Sequence, residues 1–365
     1  MMIERVELRL LALPLIEPFV AAHGTTTTRE IVIVRIETDL GIGWGECSAL
    51  PEPTYSDEFS AGAYVLLDDE LAPRLVGHDI DAATVHARLS MIPENRMAKA
   101  SLEMALLDAE LRAQGLSLAH WLGASSSRVE AGVAIGLGPP AEVANRVEAL
   151  AAEGFRRVKL KIAPGHDQAV LDAVLSTVDH LELQLDGNCS FRAEHLDLLA
   201  DMAANGVTAI EQPFPVGQVT LAAELVNRSP AAIVADEAAG SRRAVDRLRH
   251  AGALSGVSIK PARLGGLRLA RQLHDACVAW QIPLTAGGMM ETGLGRHALA
   301  AIAALPGFSL TGDVSPARRW LAADPWPDLE LIDGQITVPT GPGVAPEPDL
   351  AILDRYTAKL SELQA

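Results

Sequence analysis

Apolar positions recur along this chain with two different periods, and the pattern changes near residue 125. Before that point, Ile3 to Leu13 and Glu30 to Thr38 read as strands, with a third, Trp44 to Cys47, after a Gly41-Ile42-Gly43 turn. Asp57 to Leu75 and Met97 to Gln114 instead repeat apolar residues at helical spacing, Leu102, Ala105, Leu106, Ala109 and Leu111 forming one stripe. Residues 1–124 are therefore expected to fold as an α+β domain.

After Ser127, short β-branched runs alternate with Ala/Leu-rich helical segments. Strands are expected at Val129 to Ile135, Arg157 to Ile162, Leu181 to Asp186, Ala209 to Gln212, Ala232 to Asp236, Gly256 to Lys260, Pro283 to Ala286 and Phe308 to Thr311. Ala141 to Ala152, Ala193 to Asn205, Arg242 to His250 and Leu267 to Trp280 are among the helices between them. Alternation of this kind produces parallel strands joined by crossover helices, and eight units close as a (β/α)8-type barrel over residues 125–325. A doubly wound open sheet is the alternative. The last residues, 326–365, are expected to fold back on the first domain.

Five ionisable residues close successive apolar runs: Lys161, Asp186, Glu211, Asp236 and Lys260. Neighbours in this set lie 25 residues apart three times and 24 once, about one βα unit. In a barrel all five project from the C-terminal strand ends, where barrel active sites lie. A charged residue at any one strand end often marks nothing more than the start of a loop, but five in register converge on one mouth. Three convergent carboxylates repel unless a hard cation neutralises them, so Asp186, Glu211 and Asp236 suggest Mg²⁺, with Mn²⁺ as a substitute, and the lack of a His or Cys cluster argues against zinc. Lys159 and Lys161, two apart on a strand, share a face. Close ammonium groups lower one another's pKa, which can make a lysine a general base, and Arg263 could act in the same direction.

Composition narrows the class. The chain has 365 residues, 49% hydrophobic and 21% charged, with a formal net charge of −17, which argues against a broad nucleic-acid surface. Three cysteines without a C-x-x-C pair support neither a disulfide framework nor a cysteine zinc site. Neither a signal-peptide core nor an apolar run of membrane-spanning length is present, so a cytoplasmic protein without membrane partners is expected. Gly41-Ile42-Gly43-Trp44-Gly45 lacks the third glycine and the following helix of a dinucleotide loop. P-loop, G-x-S-x-G and H-E-x-x-H motifs are absent.

Lys159-Leu160-Lys161, the three carboxylates and Lys260-Pro261-Ala262-Arg263-Leu264-Gly265-Gly266 resemble, in order and spacing, the muconate-lactonising-enzyme-like branch of the enolase superfamily. Gly287-Gly288-Met289-Met290-Glu291-Thr292-Gly293-Leu294-Gly295-Arg296, Met97-Ala98-Lys99-Ala100 and Gly312-Asp313-Val314-Ser315 are similar to its o-succinylbenzoate synthase and N-succinylamino acid racemase group. The seventh strand lacks the histidine of the mandelate racemase branch, and Thr311-Gly312-Asp313 lacks the Asp-x-Asp of dipeptide epimerases. Ala134 stands where many racemase-type members carry Ser, whereas Arg263 is associated with the racemase-containing subfamily.

The resemblance implies an N-terminal capping domain, a divalent cation, a small-molecule carboxylate substrate and a homo-oligomer. Its implied reaction is a syn dehydration with Lys161 as base and Lys260 opposite it, Lys159 tuning the base electrostatically. Racemisation of an N-succinylamino acid by the same lysine pair is the alternative, and a catalytically idle binding barrel is the different-class one. Gly287, Gly288, Met289, Glu291, Asn188, Tyr55 and His23 are expected to contact substrate. Phe19 to Thr28 and Leu50 to Tyr55 are expected to be lid loops.

Overall fold

The structure, a computed structural model, describes every residue except 23, 179 and 180. Three long strands, β1 (Ile3–Ala21), β2 (Gly24–Thr38) and β3 (Gly41–Cys47), make an antiparallel meander. In the central β2, Ile31, Val32, Ile33 and Val34 are all buried, so the sheet is covered on both faces. The long helix Arg96–Gln114 packs on it and buries every residue of the Leu102/Leu111 stripe.

The two glycines of β3 explain how closely that helix approaches. A Cβ on Gly43 would sit 1.9 Å from the Ala105 carbonyl oxygen, and one on Gly45 would sit 1.9 Å from that of Ser101. The chain reversal itself is at Asp39–Leu40, because Thr38 already pairs with Gly41. Gly43 is thus a strand residue that admits a helix backbone, rather than part of the turn expected from sequence. The Asp57 to Leu75 run is helical only in pieces: Ser60–Leu66 is α, Leu67–Leu71 widens to a π turn, and Ala72–Arg74 tightens to a 3-10 turn around Pro73.

The second half contains β4 (Arg128–Glu130), β5 (Gly132–Ile135), β6 (Arg157–Lys161), β7 (Glu182–Asp186), β8 (Ala209–Glu211), β9 (Ala232–Ala235), β10 (Gly256–Ile259) and β11 (Leu284–Ala286). β5 to β11 form one parallel curled sheet in sequence order, with helices in the connections. The helix Arg242–His250 shows the pattern: Ser241 caps it by accepting from Ala244 N–H, and Val245 and Leu248 are its buried side chains.

Two strands differ from expectation. The Val129 to Ile135 run breaks at Ala131, so that β4 pairs instead with β13 (Gln335–Thr337), which pairs in turn with β12 (Leu331–Ile332). Phe308 to Thr311 is not a regular strand. Leu310 N–H bonds the Leu284 carbonyl and Asp313 N–H that of Ala286, while Gly132 N–H bonds Val314, so an irregular segment closes the ring. The seam is tight, since a Cβ on Gly132 would lie 2.2 Å from the Gly312 carbonyl oxygen. The chain ends in β14 (Thr357–Gln364), which runs antiparallel to β1 and adds a fourth strand to the first sheet.

Candidate active site

The parallel register aligns the polar strand ends. Lys161 is the partner of Asp186, and Asp186 of Glu211, while Asp236 and Lys260 follow directly on β9 and β10. Lys159, Lys161, Asp186, Asn188 and Lys260 line one cavity of about 240 Å³, together with Phe19, Thr26, Leu50 and Tyr55 from the first domain. The mouth of the curled sheet, the tip of the β1–β2 hairpin and the Leu50 to Tyr55 segment therefore line a common space; Phe19 to Thr28, expected as a loop, is largely strand instead, Phe19 pairing with Thr26.

The carboxylates at these strand ends, Asp186, Glu211 and Asp236, are buried and clasped by cations. Lys161 Nζ donates to Asp186 Oδ2 at 2.7 Å and to Asn188 Oδ1 at 2.7 Å. Lys159 Nζ donates to Glu211 Oε2 at 2.9 Å and to Asp313 Oδ2 at 2.6 Å. Lys260 Nζ donates to Asp236 Oδ2 at 2.7 Å, and Arg263 Nη1 donates to the other oxygen of the same carboxylate. The Tyr55 hydroxyl lies 3.2 Å from both Asp236 oxygens and accepts from Lys260 and Arg263.

Burial alone would raise every one of these acids. At Asp236 it is outweighed by Lys260 and Arg263, and at Asp186 by Lys161 and Lys159, so both stay below the usual carboxylate range. Glu211 behaves differently: burial, with Asp186 and Asp236 adding to it, pushes it upward against Lys159. Lys159 and Lys260 are held above their ordinary values, Asp313 and Glu211 overcoming burial at the first and Asp236 at the second. Lys159 is thus fastened by carboxylates in this arrangement, which makes it a firmly protonated neighbour of Lys161.

Among the described residues, no three His, Cys, Asp or Glu side chains are gathered closely enough to hold a metal ion as they stand, because lysines occupy the carboxylate oxygens. The donor set nevertheless suits a hard cation. Asp186, Glu211 and Asp236 are all at least nine-tenths buried and repel one another, and Glu211 Oε1 is buried without a hydrogen-bond partner.

The remaining expected contacts divide. Gly288 and Met289 line the cavity. Gly287 lies behind it, where a Cβ would meet Lys260 Cε at 2.7 Å, so its role there is to leave room for the lysine stem. Glu291 does not face the cavity: its carboxylate accepts from Met289 N–H at 2.8 Å and pairs with Arg296 at 2.9 Å. Arg263 reaches the site only through Asp236 and Tyr55. His23 lies outside the described residues.

Sequence reasoning assigned no role to several residues that belong here. Asp313 bonds Lys159 and Arg157 and also faces Gly288 N–H at 3.3 Å. Its position just after the eighth apolar run was the available signal. Glu237, next to Asp236, accepts from Asn188 Nδ2 at 3.2 Å, and burial together with Asp236 and Asp186 pushes it up to about 8. Gln212 and Met290, like the expected contact Asn188, have positive φ, an uncommon conformation for non-glycine residues that concentrates at functional sites.

Residues 142–352 match the family model described as Enolase C-terminal domain-like, and residues 5–123 match that of the mandelate racemase / muconate lactonizing enzyme N-terminal domain. The chain belongs to the enolase superfamily. Within it, the chain is 41% identical over 360 residues to an N-succinylamino acid racemase from Amycolatopsis sp, covering 98% of each. It is 33% identical over 361 residues to an o-succinylbenzoate synthase from Bacillus subtilis, covering 98% of this chain and 97% of that one. A solved enolase-superfamily member from Listeria innocua superposes with a TM-score of 0.94 at 32% identity, covering 100% of this chain and 99% of the other. These relatives are lyases and isomerases, and this superfamily member shares their full length.

Proposed function

We propose that this chain is an o-succinylbenzoate synthase, converting 2-succinyl-6-hydroxy-2,4-cyclohexadiene-1-carboxylate to 2-succinylbenzoate and water. The observation that carries this reading is the placement of Lys161 and Lys260 on separate strands of the sheet, both lining one cavity beside three buried carboxylates. Such a pair can address an acidic C–H from two sides. Asp186, Glu211 and Asp236 would hold Mg²⁺ or Mn²⁺, supplying positive charge next to the substrate carboxylate so that electron density can build there.

The chain's own residues then account for proton handling. The Lys161 amine takes the proton from the ring carbon bearing the carboxylate, leaving the electron pair delocalised into that carboxylate. The resulting Lys161 ammonium returns a proton to the departing hydroxyl on the same face. The C–O bond breaks, water leaves, and the ring becomes aromatic. Lys260, kept protonated, faces the planar anion from the other side. Phe19, Leu50 and Tyr55 help exclude water from the cavity.

Racemisation of N-succinylamino acids is a second reading, favoured by Arg263 on Asp236, which adds a cation beside the second lysine. The cytoplasm is the proposed location. Among the described residues no helix is long and apolar enough to cross a membrane. Purified protein offered both substrates separates the readings: metal-dependent formation of 2-succinylbenzoate supports the synthase. Deuterium exchange into an N-succinylamino acid without that product would overturn it in favour of the racemase.

A further inference from the structure

Arg29 is fully buried, and its guanidinium makes no hydrogen bond to a carboxylate. All five of its N–H donors go to main-chain carbonyls instead. Nε donates to Met290 at 3.0 Å, Nη1 to Glu30 and Ala49 at 2.6 Å each, and Nη2 to Ser48 at 2.8 Å and Met289 at 3.3 Å. Burial lowers the affinity of this guanidinium for its proton, and the nearby charges of Glu46 and Glu291 oppose that loss. A full set of donors spent on backbone is costly to maintain unless the geometry it fixes matters.

The carbonyls belong to separate walls of the cavity. Arg29 pairs with Leu13 near where the regular β1–β2 ladder ends, and beyond it the hairpin runs on to Phe19 and Thr26. Ser48 and Ala49 lead into Leu50 and Tyr55. Met289 and Met290 lie on the opposite domain, and all six cavity contacts, Phe19, Thr26, Leu50, Tyr55, Met289 and Met290, face the same space. Met290 has φ of 55°, a conformation costly for a residue with a long side chain, and its carbonyl is one that Arg29 holds. A second tie runs parallel: Glu46 accepts from Thr292 N–H at 3.1 Å, from the Thr292 hydroxyl at 2.5 Å and from Ser48 at 3.0 Å.

We propose that Arg29 is a positioning residue that joins the two lid segments of the first domain to the Met289–Met290 wall, so that the three open and close as one body and set the fit of the substrate's succinyl arm. The choice of substrate rests on the proposed synthase and racemase reading. The coupling of the segments does not.

Two measurements test it. Native-state hydrogen exchange on the wild-type protein, followed against increasing denaturant without ligand, is expected to show amides of residues 24–30, 48–50 and 289–292 merging into a single opening transition. Separate transitions for the lid segments and the 289–292 wall would overturn the coupling, whatever the enzyme's substrate. Arg29→Lys, which retains charge but cannot reach all five carbonyls, is expected to raise KM about tenfold while kcat changes by less than about threefold, and to alter the preference between the two succinyl substrates. A fall in thermal stability with wild-type KM and wild-type preference in the active fraction would reduce Arg29 to a structural strut. Should the wild type turn over neither substrate, the functional reading fails while the exchange result still decides the coupling.

Discussion

Lys161 Nζ and Asp186 Oδ2 lie 2.7 Å apart, across a rung where the two residues are register partners on neighbouring strands. The proposed base and a proposed metal ligand therefore occupy one another. A cation held by Asp186 would compete with Lys161 for that oxygen, leaving the amine with Asn188 as its hydrogen-bond partner. Metal dependence and base availability become two aspects of one contact.

The first expected outcome is a metal-dependent thermal shift. At about a hundred times the dissociation constant, ligand binding stabilises the folded state by roughly 2.7 kcal/mol. Wild-type protein should show a corresponding rise in Tm with Mg²⁺, and Asp186→Asn should lose most of it. An unchanged Tm in the wild type would count against the carboxylate trio as a cation site.

The two lysines should separate by face. Lys161→Ala is expected to lower dehydration by at least about a hundredfold, the usual scale for loss of a general base. In exchange experiments with N-succinylamino acids, Lys161→Ala should abolish deuterium incorporation from one enantiomer and Lys260→Ala from the other. Equal loss of both exchanges in each variant would contradict the opposed arrangement.

Asp313 balances two buried cations, Lys159 at 2.6 Å and Arg157 at 2.7 Å. Arg157 and Lys159, together with Glu211 and Gln184, form a network with almost no solvent contact. Asp313→Asn should cost about 3 kcal/mol or more of unfolding free energy, since it leaves buried positive charge uncompensated. Denaturant unfolding gives the answer, and a change below about 1 kcal/mol would show that Glu211 and Asp186 suffice to hold Lys159.

Much of this was legible from sequence, and the failures have physical causes. The period of two or 3.6 reports burial on one face of an element, which is why the helix Arg96–Gln114 and the register of Lys161, Asp186, Glu211, Asp236 and Lys260 could be read along the chain. Periodicity does not report what lies against a backbone. Gly43 looked like a turn residue because glycine serves turns and close approaches alike, and the helix that needs both it and Gly45 is some sixty residues away in sequence. The eighth barrel position failed for a related reason: its closure depends on Gly132 meeting Gly312, a long-range contact with no local trace. Glu291, set among cavity residues in its motif, turns to Arg296, five positions further on. Arg29, between the expected lid segment and the expected strand, carries no local signal of burial, since the carbonyls of three separate segments converge on it only in the fold.

The helix–sheet contact gives a further test. Gly45→Ala would put a methyl group 1.9 Å from the Ser101 carbonyl oxygen, far inside van der Waals contact. Loss of about 3 kcal/mol or more, or failure to accumulate as folded protein, is expected, whereas Gly41→Ala meets no atom within 4 Å and is limited by its φ of 129°. Comparable stabilities for the two variants, by thermal unfolding, would contradict the close approach.

Glu103, buried on the Arg96–Gln114 helix, accepts from Leu267 N–H at 2.8 Å and Arg268 N–H at 3.1 Å across the two halves of the chain. Burial pushes its carboxyl up to about 7, against those two hydrogen bonds. An acid whose folded pKa exceeds its unfolded value of 4.5 binds protons preferentially in the folded state, so its contribution falls as pH rises from about 4.5 to about 7 and is flat above. Stability measured across that window should decline less steeply in Glu103→Gln than in wild type. An identical slope would mean that Glu103 is ionised throughout.

The central claim, that Lys161 and the cavity beside the three carboxylates carry out a syn dehydration, is tested most directly by supplying purified protein with Mg²⁺ and 2-succinyl-6-hydroxy-2,4-cyclohexadiene-1-carboxylate and following 2-succinylbenzoate. Saturable, metal-dependent product formation that disappears in Lys161→Ala is the predicted result. Product absent from the wild type, or undiminished in Lys161→Ala, would contradict it.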